Sequence, residues 1–534
     1  MINIRTAKEC DVGQIRDVFV ATYGADYAYP QYYDEQYLKK MVFSDDSILL
    51  VAEDSDTGCI VGTASVIVEI GAFTDLVGEF GRLAVHPKAR RQGIGHLLMK
   101  GRIDRVGQRL HIGLVEARAT HPFSQRIAIA HGFAPVGFLP LKLLVAQREN
   151  VALLARYFGD GLSLRRNHPR VIPETYPVAE MALENIGHTC DCVVDDAAAP
   201  YPNHEYHLDE MTADGYSTLL RFERGRVRHR EIVGPVRLHY GMFKLRASHS
   251  NYLLAREKGH IVGAVGYTLD KVERAVRVFE LVSLTDQPVR FLLKALLRGC
   301  RESPVADYVE VDVNAGVPRM QRTLLELGFV PAAYVPAMVF HNVERLDVVK
   351  MVHLFVPVDL GNACLVERVA PFAALVVRDM ARQQVLPQVA EMLPRIQLFE
   401  GLSEEQGTRL AAICQLRNYS AGDQVFAAEQ VASNVYLIKH GTAKVCLPKS
   451  KEPIATVHQG ECIGEISLLR DNDHTATVTA TTNLEVAVMP SRELLDLIRR
   501  RPDIGVVIYR NLAAGLGDKL RRINDRAAVN SAEI

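Results

Sequence analysis

One string, GEFGRLAVHPKARRQGIGHLLMKG over residues 78–101, limits what the chain can become more than any other part of it. An apolar, β-prone run ends at Val85-His86. A basic turn carrying Lys88, Arg90 and Arg91 follows, and Gly93-x-Gly95 opens a helix-prone stretch. Strand, turn and helix in that order put successive backbone N–H groups at a helix N-terminus, where they form a concave site for an anion. Glycine lets the backbone approach a phosphate closely, and the basic side chains add charge of the matching sign.

Around this string, strand-like runs at Ile48–Ala52, Ile60–Val68, Glu79–Val85 and Ile112–Ala117 alternate with helical stretches at Val12–Tyr23 and Ile94–Val106. That mixture predicts an α/β or α+β domain with a central sheet over residues 1–145. Residues 146–204 begin with a helical pattern, lose it, and read as a helical and irregular linker.

Residues 205–360 echo the first segment. ILLVAEDSDTGCIVGTASVIVE is matched by NYLLAREKGHIVGAVGYTLDKVE, and GLVEARATHPFSQRIAIAHGFAPVGF by YVEVDVNAGVPRMQRTLLELGFVPAAY. A repeat of about 150 residues is a domain duplication rather than a solenoid. A helical connector over 361–392 leads to a last segment, 393–534, whose short strands are punctuated by Gly422, Gly441 and Gly460. This predicts an antiparallel roll or barrel. A closing helix from about Asp503 aligns Ile504, Ile508, Leu512, Leu516, Leu520 and Ile523 on one stripe. The stripe fits packing on its own roll or a homodimer contact.

Among 534 residues the formal net charge is −1, so no global excess of positive charge points to nucleic acid or to an anionic membrane. Arg499-Arg500-Arg501 is a local basic run on a helix and reads as a solvated face. Nine cysteines, odd in number and scattered, point to free thiols in a reducing compartment. Cys190 and Cys192 beside His188 lack a second ligand pair at zinc spacing, so no metal is expected. No signal-peptide pattern and no apolar run of about 18 residues is visible, which makes the cytoplasm the expected location.

The R-x-x-G-x-G spacing from Arg90 to Gly95, in its strand–turn–helix setting, resembles the acetyl-CoA pyrophosphate loop of the GNAT N-acetyltransferase superfamily. The resemblance runs from Ile4 to about Leu144. It implies that backbone at Leu83, Ala84 and Val85 pairs with the pantetheine arm of acetyl-CoA or another acyl-CoA. It implies that Arg90, Arg91, Gln92, Gly93, Ile94, Gly95 and His96 hold the pyrophosphate. The family transfers an acyl group from a thioester to an amine, which must lose a proton while an oxyanion is stabilised. Glu79 is the candidate base, Glu116 the reserve, and a backbone N–H near Leu83 the candidate oxyanion donor. Many members carry a tyrosine four residues before the Gly-Phe pair, where it protonates the leaving thiolate. Here that position is Ala128. Ser124 or His121 could substitute, or could cap the helix that starts there.

In the second copy the matching turn reads QPVRFLLKALL, with Pro288 and no glycine pair. It resembles a GNAT domain that has lost its cradle. No acyl-CoA is expected there; this copy could shape the acceptor pocket, mimic a dimer partner, or be purely structural.

The last segment resembles the cyclic nucleotide-binding fold. LFEGLSEEQ matches its opening helices, YSAGDQVF and VYLIKHGTAKV its early strands, and GECIGEISLLRDNDHTATVTA its phosphate-binding cassette. The resemblance implies a ligand site at Gly464, Glu465, Ile466, Ser467, His474 and Thr475. Gly464 opens a short helix whose amides can meet a cyclic phosphate. Glu465 can accept from a ribose hydroxyl. Ligand-binding members place an arginine where His474 stands, and histidine offers one donor and partial charge in place of a permanent fork. A cyclic nucleotide (cAMP or cGMP) held weakly, another ligand, or none remain open. No helix-turn-helix follows, which disfavours a transcription factor.

The expected architecture is a multidomain α+β chain: two GNAT-like mixed α/β domains, then a cyclic nucleotide-binding β-roll with flanking helices. The expected function is a bacterial-type, acyl-CoA-dependent N-acyltransferase acting on a small-molecule amine or a protein lysine, regulated through the roll. The alternative is a weakly catalytic or non-catalytic sensor or scaffold.

Overall fold

The apolar runs of the first segment are strands and its 3.6-period stretches are helices. β1 (Ile2–Thr6), β2 (Ser47–Asp54), β3 (Cys59–Glu69), β4 (Val77–Val85) and β5 (Ile112–Arg118) are joined through α1 (Val12–Tyr23), α2 (Glu35–Phe43), α3 (Ile94–Val106) and α4 (Phe123–Ala130). The computed structural model describes residues 1–24, 27, 29–69, 76–145, 147–211, 231–233, 250–302, 306–361, 363–448, 452–469 and 473–532. It divides into two compact units, Met1–Val377 and Arg378–Ile534.

In the first unit, β1 to β4 pair antiparallel. β4 and β5 run parallel, but only Val77–Glu79 pair with Ile112–Leu114. Beyond Glu79 these two strands no longer hydrogen-bond, which leaves one edge of β4 open. A bulge lies on that stretch: Thr63 faces Ala84 and Ser65 faces Gly81, so Arg82 and Leu83 together oppose Ala64. Arg82 takes φ +56° there.

β6 (Ala134–Leu144) is followed by β7 (Arg148–Tyr157), which inserts between β5 and β6. This corrects the expectation of a linker beginning at residue 146, since Asn150 to Ala155 are buried in the sheet. A short parallel pair, β8 (Arg170–Val171) and β9 (Val193–Val194), flanks α5 (Tyr176–Asn185).

The second lobe repeats this plan. It comprises β10 (His207–Met211), β11 (Ser250–Glu257), β12 (His260–Asp270), β13 (Ala275–Ser283), α6 (Gln287–Glu302), β14 (Tyr308–Asn314), α7 (Pro318–Glu326), β15 (Val330–His341) and β16 (Glu344–Leu354). Among the described residues one sheet of 14 strands results, ordered β1-β2-β3-β4-β5-β7-β6-β15-β16-β14-β13-β12-β11-β10. Exchanging the lobes reproduces that order from the other end. The lobes meet where β6 pairs β15 at Gly137 and Ala333. A Cβ on Gly137 would fall on that of Ala333, so glycine sets the approach. α5 packs across both junction strands.

The duplication extends to strained detail. Leu141 (φ +51°) and Ala337 (φ +53°) each follow a proline, Pro140 and Pro336. The Leu141 N–H donates to Asn150 Oδ1 (2.9 Å) and the Ala337 N–H to Asp347 Oδ1 (2.8 Å). Arg148 Nη1 donates to the Leu141 carbonyl (2.8 Å) and Arg345 Nε to the Ala337 carbonyl (2.6 Å). Left-handed non-glycine residues cost energy unless their surroundings fix them, and both lobes fix theirs with the same two devices.

The connector contains α8 (Ala370–Met392). The second unit then holds α9 (Glu404–Ala411), eight strands β17 (Gln415–Tyr419), β18 (Gln424–Phe426), β19 (Asn434–His440), β20 (Ala443–Cys446), β21 (Ala455–Val457), β22 (Cys462–Ile463), β23 (Thr477–Ala480) and β24 (Leu484–Pro490), and helices α10 (Ser491–Arg500) and α11 (Pro502–Ala532). The strands form two four-stranded sheets, β17-β24-β19-β22 and β18-β23-β20-β21, around Phe426, Ile438 and Val486. On α11, Ile504, Ile508 and Leu512 are buried against Phe399, Leu410 and Leu494, with Leu516 packed beside them. That much of the stripe is consumed within its own unit; the side chains of Leu520 and Ile523 lie outside the described residues. No described helix is long and apolar enough to cross a membrane.

Candidate functional site

The cradle takes its shape from two left-handed residues. Arg91 has φ +65° and Gly93, the N-cap of α3, has φ +75°. Alternating backbone handedness turns consecutive amides toward one point. Among the described residues the amides of Arg91 to Gly95 have no backbone acceptor, as the first turn of a helix requires. The His96 amide differs, because it donates to the Gly93 carbonyl (3.0 Å). This removes His96's backbone from the expected donor set. Its imidazole remains on the cavity wall, with Nδ1 3.3 Å from Nε2 of His131. Arg90 and Arg91 line the cavity, whereas Gln92 is exposed outside it. Leu83, Ala84 and Val85 lie along the open edge of β4 and also line it, as do Ile94 and Gly95.

The cavity measures about 1350 Å³. Glu79 lines it with 37 % of its side chain accessible, and its Oε1 accepts from Arg82 Nη2 (2.9 Å). Arg82 Nε in turn donates to the Tyr32 hydroxyl (3.0 Å). Glu116 lines the cavity too, but its Oε1 is held by the buried Lys142 Nζ at 2.5 Å. Ser124 Oγ and His121 Nδ1 are buried on the wall without a hydrogen-bond partner among the described residues. Burial, with Arg118 nearby, holds the His121 pKa below its ordinary value. Ala128 is fully buried and brings no hydroxyl to the site.

Three features of the wall escaped sequence reasoning. Tyr23, Tyr27, Tyr29 and Tyr32 gather into an aromatic face, and Tyr23 and Tyr27 stack at 4.3 Å. Their crowding between residues 23 and 37 was a visible signal. The second lobe contributes Asp270, Glu273, Arg277 and Phe279 from its β12–β13 hairpin. The third is Arg102 of α3, only 1 % exposed yet bordering the cavity. Its Nη1 donates to the Ser65 (3.2 Å) and Gly81 (3.1 Å) carbonyls at the β4 bulge, and its guanidinium lies 5.3 Å over Phe80. No carboxylate faces it among the described residues; burial and Arg82 pull its pKa down.

Elsewhere in this unit, Cys192 Sγ lies 3.5 Å from the Tyr334 hydroxyl, and burial pushes the thiol up to about 12.

In the second unit, Gly464 (φ +82°) opens a single 3₁₀ turn, Glu465–Leu468, rather than a longer helix. A Cβ there would lie 2.7 Å from the Asn434 carbonyl, so the turn requires glycine. Glu465 is buried, while Ile466 and Thr475 are exposed; the Ser467 side chain lies outside the described residues. His474 is 9 % exposed and lies flat on Phe426, with ring centroids 3.8 Å apart at 17°. Burial lowers its pKa, so at neutral pH the position carries little positive charge.

Two family matches coincide with these two sites. The chain carries an acetyltransferase (GNAT) domain at residues 45–133 and a cyclic nucleotide-binding domain at residues 416–501. It is a fusion of the two. Over 102 residues, 18 % of this chain, it is 37 % identical to the cAMP-dependent protein kinase regulatory subunit of Eremothecium gossypii, covering 21 % of that protein. Over 127 residues, 23 % of this chain, it is 30 % identical to the Cyclic AMP receptor protein of Thermus thermophilus, covering 57 % of it. The solved Thermus thermophilus Catabolite Activator Protein is 28 % identical over 25 % of this chain and 63 % of that one, with a TM-score of 0.23. The chain thus spans under two thirds of the length of each.

Proposed function

We propose that the first unit is an acyl-CoA-dependent N-acyltransferase acting on an amine, and that the second unit regulates it by binding a cyclic nucleotide. The observation that carries the reading is the row of amides from Arg91 to Gly95 at the head of α3, beside Arg90, which have no backbone acceptor among the described residues. These residues suit a pyrophosphate, and the open edge of β4 at Leu83 to Val85 suits the amides of a pantetheine arm. Bound acyl-CoA supplies an activated thioester. Glu79, held by Arg82, accepts the proton of the attacking amine, directly or through a water. Backbone N–H groups at the Arg82–Leu83 bulge stabilise the oxyanion. Arg102 clamps that bulge through two carbonyls and, with no counter-ion among the described residues, adds positive charge, a positioning role. Ser124 Oγ and His121 Nδ1, buried beside the cradle without partners among the described residues, are the groups available to protonate the departing thiolate.

Thiol release from acetyl-CoA, measured against a panel of amines with and without cyclic AMP, tests both parts. Turnover that changes with cyclic AMP supports the proposal. A binding module without turnover is the second reading, favoured by Ala128 and by the buried His474. It predicts acetyl-CoA binding with no thiol released on any acceptor, protein lysines included.

A further inference from the structure

The second lobe, which has no cradle of its own, lends its β12–β13 hairpin to the first lobe's cavity. Arg148 of the first lobe fixes the hairpin: its Nη2 donates to the Glu273 and Arg274 carbonyls, both at 2.8 Å. The Tyr29 hydroxyl donates to Glu273 Oε1 (2.8 Å), joining the hairpin to the tyrosine face. Asp270 caps the turn, accepting the Val272 and Glu273 amides on Oδ1 (2.9 Å each). It has no cationic partner among the described residues.

Behind the wall runs a buried ionic network. Lys142 Nζ bonds Glu116 (2.5 Å) and Glu310 (3.1 Å), and Lys350 Nζ bonds Glu310 (3.1 Å) and Asp312 (2.8 Å). Arg277 pairs with Glu273 (3.0 Å) and lies in the field of Glu310 and Glu116. Arg277 and Glu273 match each other, burial holds the Asp312 pKa above its ordinary value, and Asp270 adds a further negative group at the rim. Buried charge without a counter-charge is costly, and burial holds the Glu273 pKa above its ordinary value despite Arg277. Among the described residues the lining carboxylate without a cation is Asp270, at the rim beside Glu273, where the cavity wall is also tyrosine. Aromatic faces and carboxylates together select ammonium groups.

Resting on the acyltransferase reading, we propose that the acceptor is a small diamine or polyamine: one amine reacts, and a second ammonium seats against Glu273 and Asp270 beside the Tyr27 and Tyr29 rings. The second lobe is thus a specificity element for the first lobe's chemistry. Arg277 does not oppose this, because its charge is already matched by Glu273.

The test compares 1,4-diaminobutane with 1-aminobutane in the thiol-release assay on the full chain, alongside calorimetric binding of each amine to the CoA-saturated protein. The diamine is expected to exceed the monoamine in kcat/KM by about tenfold or more. Glu273→Gln and the exposed Asp270→Asn are each expected to raise KM for the diamine about fivefold or more, leaving KM for acetyl-CoA and the monoamine's kcat/KM within about twofold. Asp270→Asn guards against a folding defect at the buried Glu273. Equal use of the two amines, a preference for a neutral or anionic amine or for protein lysine, or equal effects of the variants on both amines overturns the inference while leaving the acyltransferase reading in place. No turnover on any amine defeats the acyltransferase reading. Failure of the diamine to bind, with or without turnover, defeats this inference separately.

Discussion

The two lobes of the first unit share a strand order, a junction and a pair of strained bulges, yet among the described residues only the first opens its helix on a left-handed turn with free amides. The difference lies in the connection after the fourth strand of each. In the first lobe, residues 86–93 link β4 to α3, with left-handed backbone at Arg91 and Gly93. In the second, only residues 284–286 link β13 to α6. Asp286 stands just before that helix, pairing with Arg319, and Pro288 lies in its first turn. A carboxylate at a helix N-terminus satisfies the dipole that a phosphate would otherwise meet. The comparison teaches that the sheet is a frame, and that a few residues of backbone decide whether a helix start receives a ligand. Relieved of binding, the second lobe can serve as wall, through Asp270, Glu273 and Arg277.

Several changes should break or sharpen that contrast. The largest effect is expected at the first lobe's chemistry. Glu79→Gln should lower kcat by about 10²- to 10⁴-fold while calorimetry still shows acetyl-CoA bound; an unchanged kcat would remove Glu79 as the base. At the junction, Gly137→Val should destabilise the first unit by about 1–3 kcal/mol in denaturant titrations, because a side chain there meets Ala333.

In the roll, the buried His474 likewise carries little positive charge. His474→Arg should tighten cyclic AMP by about tenfold, or about 1.4 kcal/mol. In the wild-type protein, cyclic AMP affinity should rise as pH falls from about 8 to about 6, since a phosphate favours the imidazolium that burial disfavours; in the arginine variant it should stay flat. The same lowered pKa means that the unfolded chain binds more protons as pH falls through about 6.5, so the second unit loses stability in that window. The smallest effect is expected in the second lobe's turn. Pro288→Gly should leave acetyl-CoA affinity within about twofold, because restoring one glycine restores neither the loop length nor the basic residues.

Much of this was legible in the sequence. The strands and helices around residues 78–101, the repeat and the roll all stand where their patterns put them. β7 was missed because its run, RENVALLARY, joins helix-favouring residues to an apolar stretch; a strand buried on both faces shows no alternation. The hairpin wall was illegible because Asp270 and Glu273 look like ordinary turn residues until the other lobe is packed against them. Arg102 gave no sign either. In KGRIDR it reads as a solvated helix residue, and only the fold buries it beneath the bulge.

The account stands on there being one acyl-CoA site per chain, held by the Arg91–Gly95 cradle. Isothermal titration of acetyl-CoA into this chain and its Gly93→Asp variant tests this most directly. One molecule bound per chain, with binding lost in the variant, is the predicted result. Two molecules per chain, or undiminished binding to Gly93→Asp, would contradict it.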